Sequence, residues 1–166
     1  MELSIKSITL FMAIVLTGLS AGLFYAWAVS VIPGTRKIAD MTYLESMQSI
    51  NKEILNPSFF LSFFGSAILL TISSIQQYHT GLPFWLILFA AIVYWLGTFG
   101  VTAFGNVPLN DALEALQLDT LSKQKVIEFR KLYEGKWNRL HSIRTGFAVL
   151  SFLLALASAF VQIKNL

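Results

Sequence analysis

Four long stretches of apolar residues alternate with polar stretches along the chain. Residues 8–32, 58–78, 83–105 and 145–163 contain no charged side chain. A helix of about 20 apolar residues is long enough to cross the ~30 Å hydrocarbon core of a bilayer. The pattern therefore predicts an all-α protein, a four-transmembrane-helix bundle.

Between the apolar stretches, residues 33–57 and 106–144 are polar and contain apolar residues at helical spacing. In the first stretch these residues lie three or four positions apart: Met41, Leu44, Met47, Ile50 and Ile54. In the second they stand among charged residues: Leu113, Leu116, Leu118, Leu121, Val126, Phe129, Leu132 and Tyr133. Such spacing is typical of amphipathic helices. We expect both stretches to be capping loops that contain amphipathic helices.

Short connections decide how the spans are arranged. Pro33-Gly34 is expected to end the first span, and Pro57 to open the second. Only residues 79–82 connect spans two and three, so these two form an antiparallel hairpin. Both termini then lie at one end of the bundle, and both polar stretches cover the other end, here named the capped end, of a single domain of residues 1–166.

Composition agrees with a membrane protein. Apolar residues make up 55% of the 166 residues, against ~45–50% in soluble domains, and the mean hydropathy is +0.66. The net charge of +3 is concentrated in the polar stretches beside the spans, so nucleic acid is not expected as a partner. The absence of cysteine excludes disulfides, thiolate metal sites and thiol nucleophiles.

The distribution of Lys and Arg predicts the orientation. Two of the twelve, Lys6 and Lys164, lie on the side of the termini, and ten lie on the side of the polar stretches. Cationic loops stay preferentially in the cytoplasm. We expect a multi-pass protein of the bacterial inner membrane with the N- and C-termini outside and the polar stretches in the cytoplasm.

Candidate functional residues gather at the capped end. Trp137, His141 and Arg144 stand at positions i, i+4 and i+7, so a helix would place an aromatic ring, a titratable base and a cation on one face. The topology brings six more candidates to the same end: Tyr25, Asn51, Asn106, Asn110, Asp111 and Asn138. We expect a polar pocket there. His79 lies across the membrane, which excludes a two-histidine haem or metal site within one chain, and no metal is expected.

Each of these residues also has a structural explanation. Arg144 could extend to lipid headgroups at the start of a span, and Trp137 could belong to the interfacial aromatic belt. Asn106 and Asn110 flank a proline, where Asn is common in turns, and Asp111 could cap the following helix. Only the convergence of a base, a carboxylate, a guanidinium and several amides favours a functional site.

Five short motifs follow one another along the chain. They are Ala21-Gly22-Leu23-Phe24-Tyr25-Ala26-Trp27 with Pro33-Gly34, Met47-Gln48-x-x-Asn51, Asn56-Pro57, Asn106-x-Pro108-x-Asn110, and Trp137-Asn138-x-x-His141-x-x-Arg144. Together they resemble the DUF1772 family of integral membrane proteins, which includes the anthrone oxygenases. The resemblance covers nearly the whole chain.

The resemblance implies a cofactor-independent monooxygenase that converts an anthrone to an anthraquinone with O₂ and needs no flavin or metal. Removing a proton from an activated carbon gives an electron-rich anion that can itself reduce O₂. His141 would be the base, and Arg144, Asn106 or Asn110 the partner of the oxyanion. Asp111 would fix the His141 tautomer if it reaches the ring. The other candidates would bind the substrate, the aromatic ones by stacking on its ring: Tyr25, Asn51, Asn106, Asn110, Trp137 and Asn138.

Two other classes of function stay open. A non-catalytic membrane protein could use the same residues to bind a lipid headgroup, a small anion or a partner subunit. A transporter is less favoured, because no charged residue lies in the middle of a span and four spans would have to oligomerise. The expected partners are membrane lipid and a small hydrophobic or aromatic ligand, and homo-oligomerisation is an open alternative.

Overall fold

The structure is a computed structural model that describes residues 4–164. The predicted domain of residues 1–166 extends beyond these at both ends, and the side chain of Lys164 also lies outside the described part. Within it the chain forms five helices: α1, Ile5–Thr35; α2, Asp40–Glu53; α3, Pro57–Gln76; α4, Leu82–Glu114; and α5, Lys123–Lys164. All except α2 are long and apolar enough to cross a membrane. The predicted four-helix bundle is confirmed.

The four long helices expose large apolar side chains on the outside of the bundle. Leu61, Leu96 and Phe104 are 64%, 72% and 86% exposed, whereas five alanines are fully buried between the helices: Ala13, Ala67, Ala90, Ala148 and Ala155. Small residues allow helices to approach closely, and lipid tails cover an apolar outer surface that water would not. This is the architecture of a membrane protein.

α1 continues through Pro33, although the sequence predicted that the span would end there. Proline lacks an N–H, and its ring would clash with the carbonyl four residues earlier in a regular helix. A π-helical segment, Trp27–Val31, lies shortly before the proline, and its i→i+5 spacing relaxes this conflict. The helix ends at Thr35.

α4 repeats this arrangement and corrects the predicted end of the third span. We expected a loop to begin at Asn106, but the helix passes through Pro108 and ends at Glu114. Asn106 and Asn110 are therefore helical residues, and the turn interpretation was wrong. The irregularity is again accommodated by π-helical segments that precede the proline: Tyr94–Gly100 and Thr102–Asn106.

α5 is one continuous helix of 42 residues, where we expected a loop up to Arg144 followed by a span. Its length of about 63 Å is roughly twice the thickness of the hydrocarbon core, so the polar half of α5 projects beyond the bilayer. Asp111 lies inside α4 and does not cap α5; the Ser122 hydroxyl does, accepting a bond of 3.4 Å from the N–H of Lys125. The stretch 106–144 is thus two helix ends with a short connection.

α2 is the predicted amphipathic helix and covers the capped end. It buries Tyr43, Leu44 and Met47 against residues on the projecting parts of α4 and α5 and on the connection between them: Leu113, Leu118, Val126, Tyr133 and Trp137. Gln48 Nε2 donates to the carbonyl oxygen of Leu113 at 2.9 Å. The predicted cap is confirmed, and it consists of one helix resting on two others.

Arg130 joins α5 to α2 and to the connection between α1 and α2. Arg130 is 8% exposed, and its guanidinium carbon lies 4.5 Å from the ring centroid of Tyr43. Burial, followed by the charge of Glu134, raises the pKa of Tyr43 above its ordinary value, so this ring stays neutral. The guanidinium donates to five oxygens: Thr35 O (3.2 Å), Arg36 O (3.4 Å), Ile38 O (2.7 Å), Asp40 Oδ1 (2.9 Å) and Glu134 Oε2 (3.1 Å).

α3 begins where the sequence predicted. The Asn56 side chain accepts a bond from the N–H of Phe59 at 3.0 Å, and Pro57 is the first helical residue. The turn to α4 contains two residues with positive φ, His79 at 68° and Gly81 at 77°. Glycine adopts such a conformation without strain, and the tight turn produces the predicted antiparallel hairpin of α3 and α4.

Candidate functional site

A cavity of about 90 Å³ lies under α2 at the capped end. Every helix contributes to its wall. Most of the lining is apolar: Leu23, Phe24, Trp27, Ile50, Ile54, Leu55, Phe59, Val107 and Trp137. The polar groups are few and come from α2, α4 and α5: Asn51, Thr102, Asn110, His141 and Arg144. An apolar cavity with a few convergent polar groups is typical of sites for small molecules.

One face of α5 supplies the imidazole and the guanidinium of the cavity wall. Tyr133, Trp137, His141 and Arg144 recur at intervals of four, four and three residues, and all are buried, with His141 fully so. The rings of Trp137 and His141 stack with centroids 5.0 Å apart and planes 7° apart. Because α5 is unbroken here, its backbone holds these side chains in fixed register.

Both ring nitrogens of His141 are engaged. Nε2 lies 3.0 Å from the carbonyl oxygen of Phe24 on α1, and Nδ1 lies 2.9 Å from Nη2 and 3.2 Å from Nε of Arg144. A guanidinium can only donate, so Nδ1 must accept and Nε2 carries the proton that it donates to Phe24. His141 is thus a neutral imidazole whose tautomer is set by Phe24 and Arg144, and the predicted role of Asp111 in fixing that tautomer was wrong.

Arg144 is a buried cation that forms no ion pair with a carboxylate of residues 4–164. It is 8% exposed, and its guanidinium carbon lies 4.6 Å from the ring centroid of Phe24 and 5.1 Å from that of Trp137. Nη1 donates to the Thr102 hydroxyl at 3.4 Å. All four ion pairs within residues 4–164 involve other cations. A buried charge without a counter-ion costs several kcal/mol, so this position favours an anionic ligand.

A hydrogen-bond network centred on Asn110 forms the second polar part of the site. Its Oδ1 accepts bonds from Trp137 Nε1 at 2.8 Å and from the Tyr133 hydroxyl at 3.2 Å. The Tyr133 hydroxyl in turn accepts from Asn51 Nδ2 at 3.3 Å. This network connects α2, α4 and α5. With Oδ1 occupied, the Nδ2 group of Asn110 remains as a donor for a ligand.

Comparison with known proteins gives a family. The family model described as anthrone oxygenase matches residues 57–154. The chain belongs to the anthrone oxygenase family. In this member of the family the matched range covers α3, α4 and the part of α5 that carries Trp137, His141 and Arg144. No curated protein and no solved structure matches the chain.

The structure of this anthrone oxygenase family member brings five of the nine predicted site residues together. Asn51, Asn110, Trp137, His141 and Arg144 line the cavity. A sixth, Asn106, is 1% exposed and lies behind the wall, where its Nδ2 donates to the carbonyl oxygen of Trp137 at 3.3 Å.

The three remaining candidates lie elsewhere. Tyr25 is 59% exposed on the outer face of α1, and Asp111 is exposed on α4. Asn138 lines a separate surface groove together with Arg139. None of the three lines the cavity, because each follows a cavity-lining residue by one position and a helix turns by about 100° per residue.

Several residues of the site were not predicted, and the positions of Phe24, Trp27, Thr102 and Tyr133 show why. Phe24 and Trp27 flank Tyr25 in one sequence motif, but the motif does not say which residues face inward. Thr102 and Tyr133 carry hydroxyls whose partners, Arg144 and Asn110, come from other helices. Trp27 and Thr102 belong to the π-helical segments, which are frequent at functional sites.

The described residues provide no constellation for a metal. Within residues 4–164, no group of three His, Cys, Asp or Glu side chains lies close enough together to hold an ion. The site's polar chemistry is therefore that of an imidazole, a guanidinium, amides and hydroxyls next to aromatic rings.

Proposed function

We propose that this protein oxidises a small aromatic substrate with O₂ in the cavity under α2. The substrate class is an anthrone-like ketone or phenol that loses a proton to form a stabilised anion. The observation that carries the proposal is the buried guanidinium of Arg144, which lies close to the rings of Phe24 and Trp137 and has no carboxylate partner among the described residues. Family membership points to the same chemistry.

Arg144 is the proposed partner of the substrate anion. The second N–H of each terminal nitrogen is free to donate to an oxyanion, as is Nδ2 of Asn110. Trp137, Trp27 and Phe59 supply ring surfaces beside that position, which suits a flat aromatic ligand. An anionic oxygen would neutralise the charge of Arg144, and the rings would replace water around the rest of the molecule.

His141 is the proposed base, and substrate binding would release it for this role. In the ligand-free protein Nδ1 is occupied by Arg144. When the guanidinium turns to the substrate oxygen, the Nδ1 lone pair becomes available and accepts the proton from the substrate carbon. The imidazolium that forms keeps its Nε2 hydrogen bond to the carbonyl oxygen of Phe24. The substrate anion then lies between two cations, the imidazolium of His141 and the guanidinium of Arg144.

The overall reaction balances without a further reductant. An anthrone loses the two hydrogens of one methylene group, and O₂ accepts four electrons. One oxygen atom becomes the new carbonyl oxygen of the quinone, and the other leaves as water with the two hydrogens. The substrate anion reacts with O₂ to form a carbon–oxygen bond, and loss of water from the resulting hydroperoxide gives the ketone. We propose that no flavin or metal takes part.

A second candidate function is the binding of an anion without turnover. It is favoured by the bond between Arg144 and Nδ1, because a base engaged by a cation is not free in the resting protein. In that case a lipid headgroup or a small anion would occupy the site, and Arg144 would matter far more than His141.

Turnover of anthrone in lipid nanodiscs separates the two candidates. For an oxygenase, His141→Gln should lower kcat by about 10²–10⁴-fold, as expected for loss of a general base, while substrate binding is largely kept. Arg144→Gln should lower both affinity and kcat, the latter by about 10²–10³-fold. The matched controls are His79→Gln, at the far end of the bundle, and Arg139→Gln, which is exposed on α5.

Two results of the same turnover assay would overturn the oxygenase proposal. If His141→Gln consumes O₂ and forms anthraquinone as fast as the wild type, or if the wild type is no faster than empty nanodiscs, the protein does not catalyse this reaction. If Arg144→Gln alone then loses affinity for an aromatic anion, the binding function takes its place.

We also propose that the capped end faces the cytoplasm and that both termini lie outside, because ten of the twelve Lys and Arg are on the capped side. Labelling of cysteines introduced at each end, in intact cells with an impermeant maleimide, tests this. Reaction of the capped end from outside would reverse the orientation. The partners proposed with it are membrane lipid and the aromatic substrate.

A further inference from the structure

The cavity is closed by contacts on the side away from the spans. There α2 is tied to the end of α4 by an ion pair between Lys52 and Glu114 at 2.8 Å and by the bond from Gln48 to the carbonyl oxygen of Leu113. Both contacts join α2 to the last turn of α4, about one turn or less from the cavity-lining Asn51 and Asn110. They hold α2 over this side of the cavity.

The exposed part of the cavity wall is apolar. Of the fourteen lining residues, two are exposed, Leu55 at 64% and Val107 at 41%. We name this exposed part of the wall the mouth. Leu55 stands just before the start of α3, and Val107 stands on α4, so the mouth lies where α2 turns into α3 and α4 passes by.

The surface below the mouth is one that faces lipid. Phe104, one turn before Val107 on α4, is 86% exposed, and Phe60 and Leu61, on the second turn of α3, are 39% and 64% exposed. Both helices are membrane-spanning candidates by length and composition. The mouth is therefore continuous with the apolar outer surface of the bundle, whereas Thr102, His141 and Arg144 of the cavity wall are buried.

We propose that the mouth between Leu55 and Val107 is a lateral opening through which a lipophilic molecule with one acidic oxygen passes from the bilayer into the site. The oxygen leads and reaches Arg144, and the apolar body stays between Leu55, Phe59 and Val107. That the ligand carries an acidic oxygen rests on the proposed function. That the mouth faces lipid rests on the exposed apolar residues alone.

The size of the cavity supports this arrangement. Its volume of about 90 Å³ is smaller than the ~150 Å³ of a cavity that holds benzene. A ligand of two or three fused rings must therefore extend into the mouth. A lipophilic ligand that passes from lipid into an apolar mouth sheds no hydration shell on the way. A polar opening would suit a water-soluble ligand instead.

The test uses the absence of native cysteine. Single cysteines at Leu55 and Val107 are spin-labelled in nanodiscs, and collision rates with O₂, which concentrates in lipid, and with a water-soluble nickel chelate are compared. Leu96→Cys is the lipid control, because Leu96 is 72% exposed on the membrane part of α4. Lys125→Cys is the water control, because Lys125 is exposed on the polar half of α5.

The expected result is that both mouth positions match Leu96→Cys, with O₂ collisions far exceeding nickel collisions. A ratio like that of Lys125→Cys at both positions overturns the proposal. Addition of 1-naphthol, a lipophilic phenol, should slow the motion of the label at Val107 and leave the label at Leu96 unchanged. No change at either mouth position on saturating naphthol also overturns it.

These readouts separate the opening from the chemistry. If the labels report lipid and respond to naphthol while anthrone is not oxidised, the lateral opening stands and the oxygenase proposal falls. If anthrone is oxidised while both labels report water, the oxygenase stands and the lateral opening falls. Both mouth residues are exposed, so neither substitution removes packing from the interior.

Discussion

Replacing Arg130 with methionine should loosen α2 from the bundle. Methionine keeps an unbranched apolar side chain but donates no hydrogen bond, so the five oxygens around the guanidinium lose their donor. The side chain of Asp40 is 42% exposed and can turn to water, whereas that of Glu134 is 18% exposed. The substitution therefore leaves a largely buried carboxylate and several carbonyl groups unsatisfied.

The magnitude follows from the kind of interaction that is lost. Removing one partner of a buried ion pair costs about 3–5 kcal/mol. Summing a contribution of about 1.5–3 kcal/mol for every charged hydrogen bond would overcount, because contacts that share one group are not additive. A loss of about 4 kcal/mol, at about 1.4 kcal/mol per factor of ten, makes opening of α2 roughly 10³-fold more frequent.

Hydrogen exchange of backbone amides in nanodiscs measures this opening directly. The amides of α2 should exchange roughly 10³-fold faster in Arg130→Met, with α3 unchanged. Arg36→Met is the matched control, because the Arg36 side chain is 62% exposed and lies 3.9 Å from Glu134, a contact worth about 0–1 kcal/mol. If the exchange rate of the α2 amides increases no more in Arg130→Met than in Arg36→Met, the role assigned to Arg130 is refuted.

Three smaller perturbations test the packing of the bundle. A Cβ at Gly97 would lie 2.1 Å from Cγ of Phe147, so Gly97→Ala should destabilise by about 1–3 kcal/mol. The Cβ of Gly135→Ala would meet nothing within 4 Å, and this change should stabilise by about 0.4–1 kcal/mol. Tyr94→Phe removes a hydroxyl that donates to the Phe63 carbonyl at 3.0 Å and should cost about 0.6 kcal/mol. Unfolding in mixed micelles measures the change in the free energy of unfolding for all three variants. Equal changes for the two glycine variants, or a loss above about 2 kcal/mol for Tyr94→Phe, would contradict the packing described.

The spans and the cap helix could be predicted because composition and periodicity decide them. An uncharged stretch of sufficient length has few alternatives to a membrane helix, and the spacing of Met41, Leu44 and Met47 fits one buried helix face. The ends of α4 and α5 could not be predicted in the same way. Pro108 and the charges that follow it usually indicate a loop, and nothing in the sequence shows that π-helical segments will carry the helix past the proline.

The part of the site that lies on a single helix could be predicted from the sequence. Trp137, His141 and Arg144 share a face of α5 by spacing alone, and they are buried together. The opposite wall depends on how α1 is rotated about its axis, which only packing decides. The sequence therefore predicts Tyr25 as a site residue, whereas Phe24 is the residue that contacts His141. The role predicted for Asp111 required its side chain to face the cavity, but Asp111 follows the cavity-lining Asn110 by one position and is exposed on another face of α4.

The central claim is that the cavity converts a bound aromatic ketone to its anion and holds that anion beside Arg144. The most direct measurement is the absorption spectrum of anthrone mixed anaerobically with the protein in nanodiscs. We predict the spectrum of the enolate in the wild type and in Arg139→Gln, its loss in Arg144→Gln and His141→Gln, and the appearance of anthraquinone when O₂ is admitted. A spectrum of unchanged neutral anthrone in the wild type at saturating protein would contradict the account.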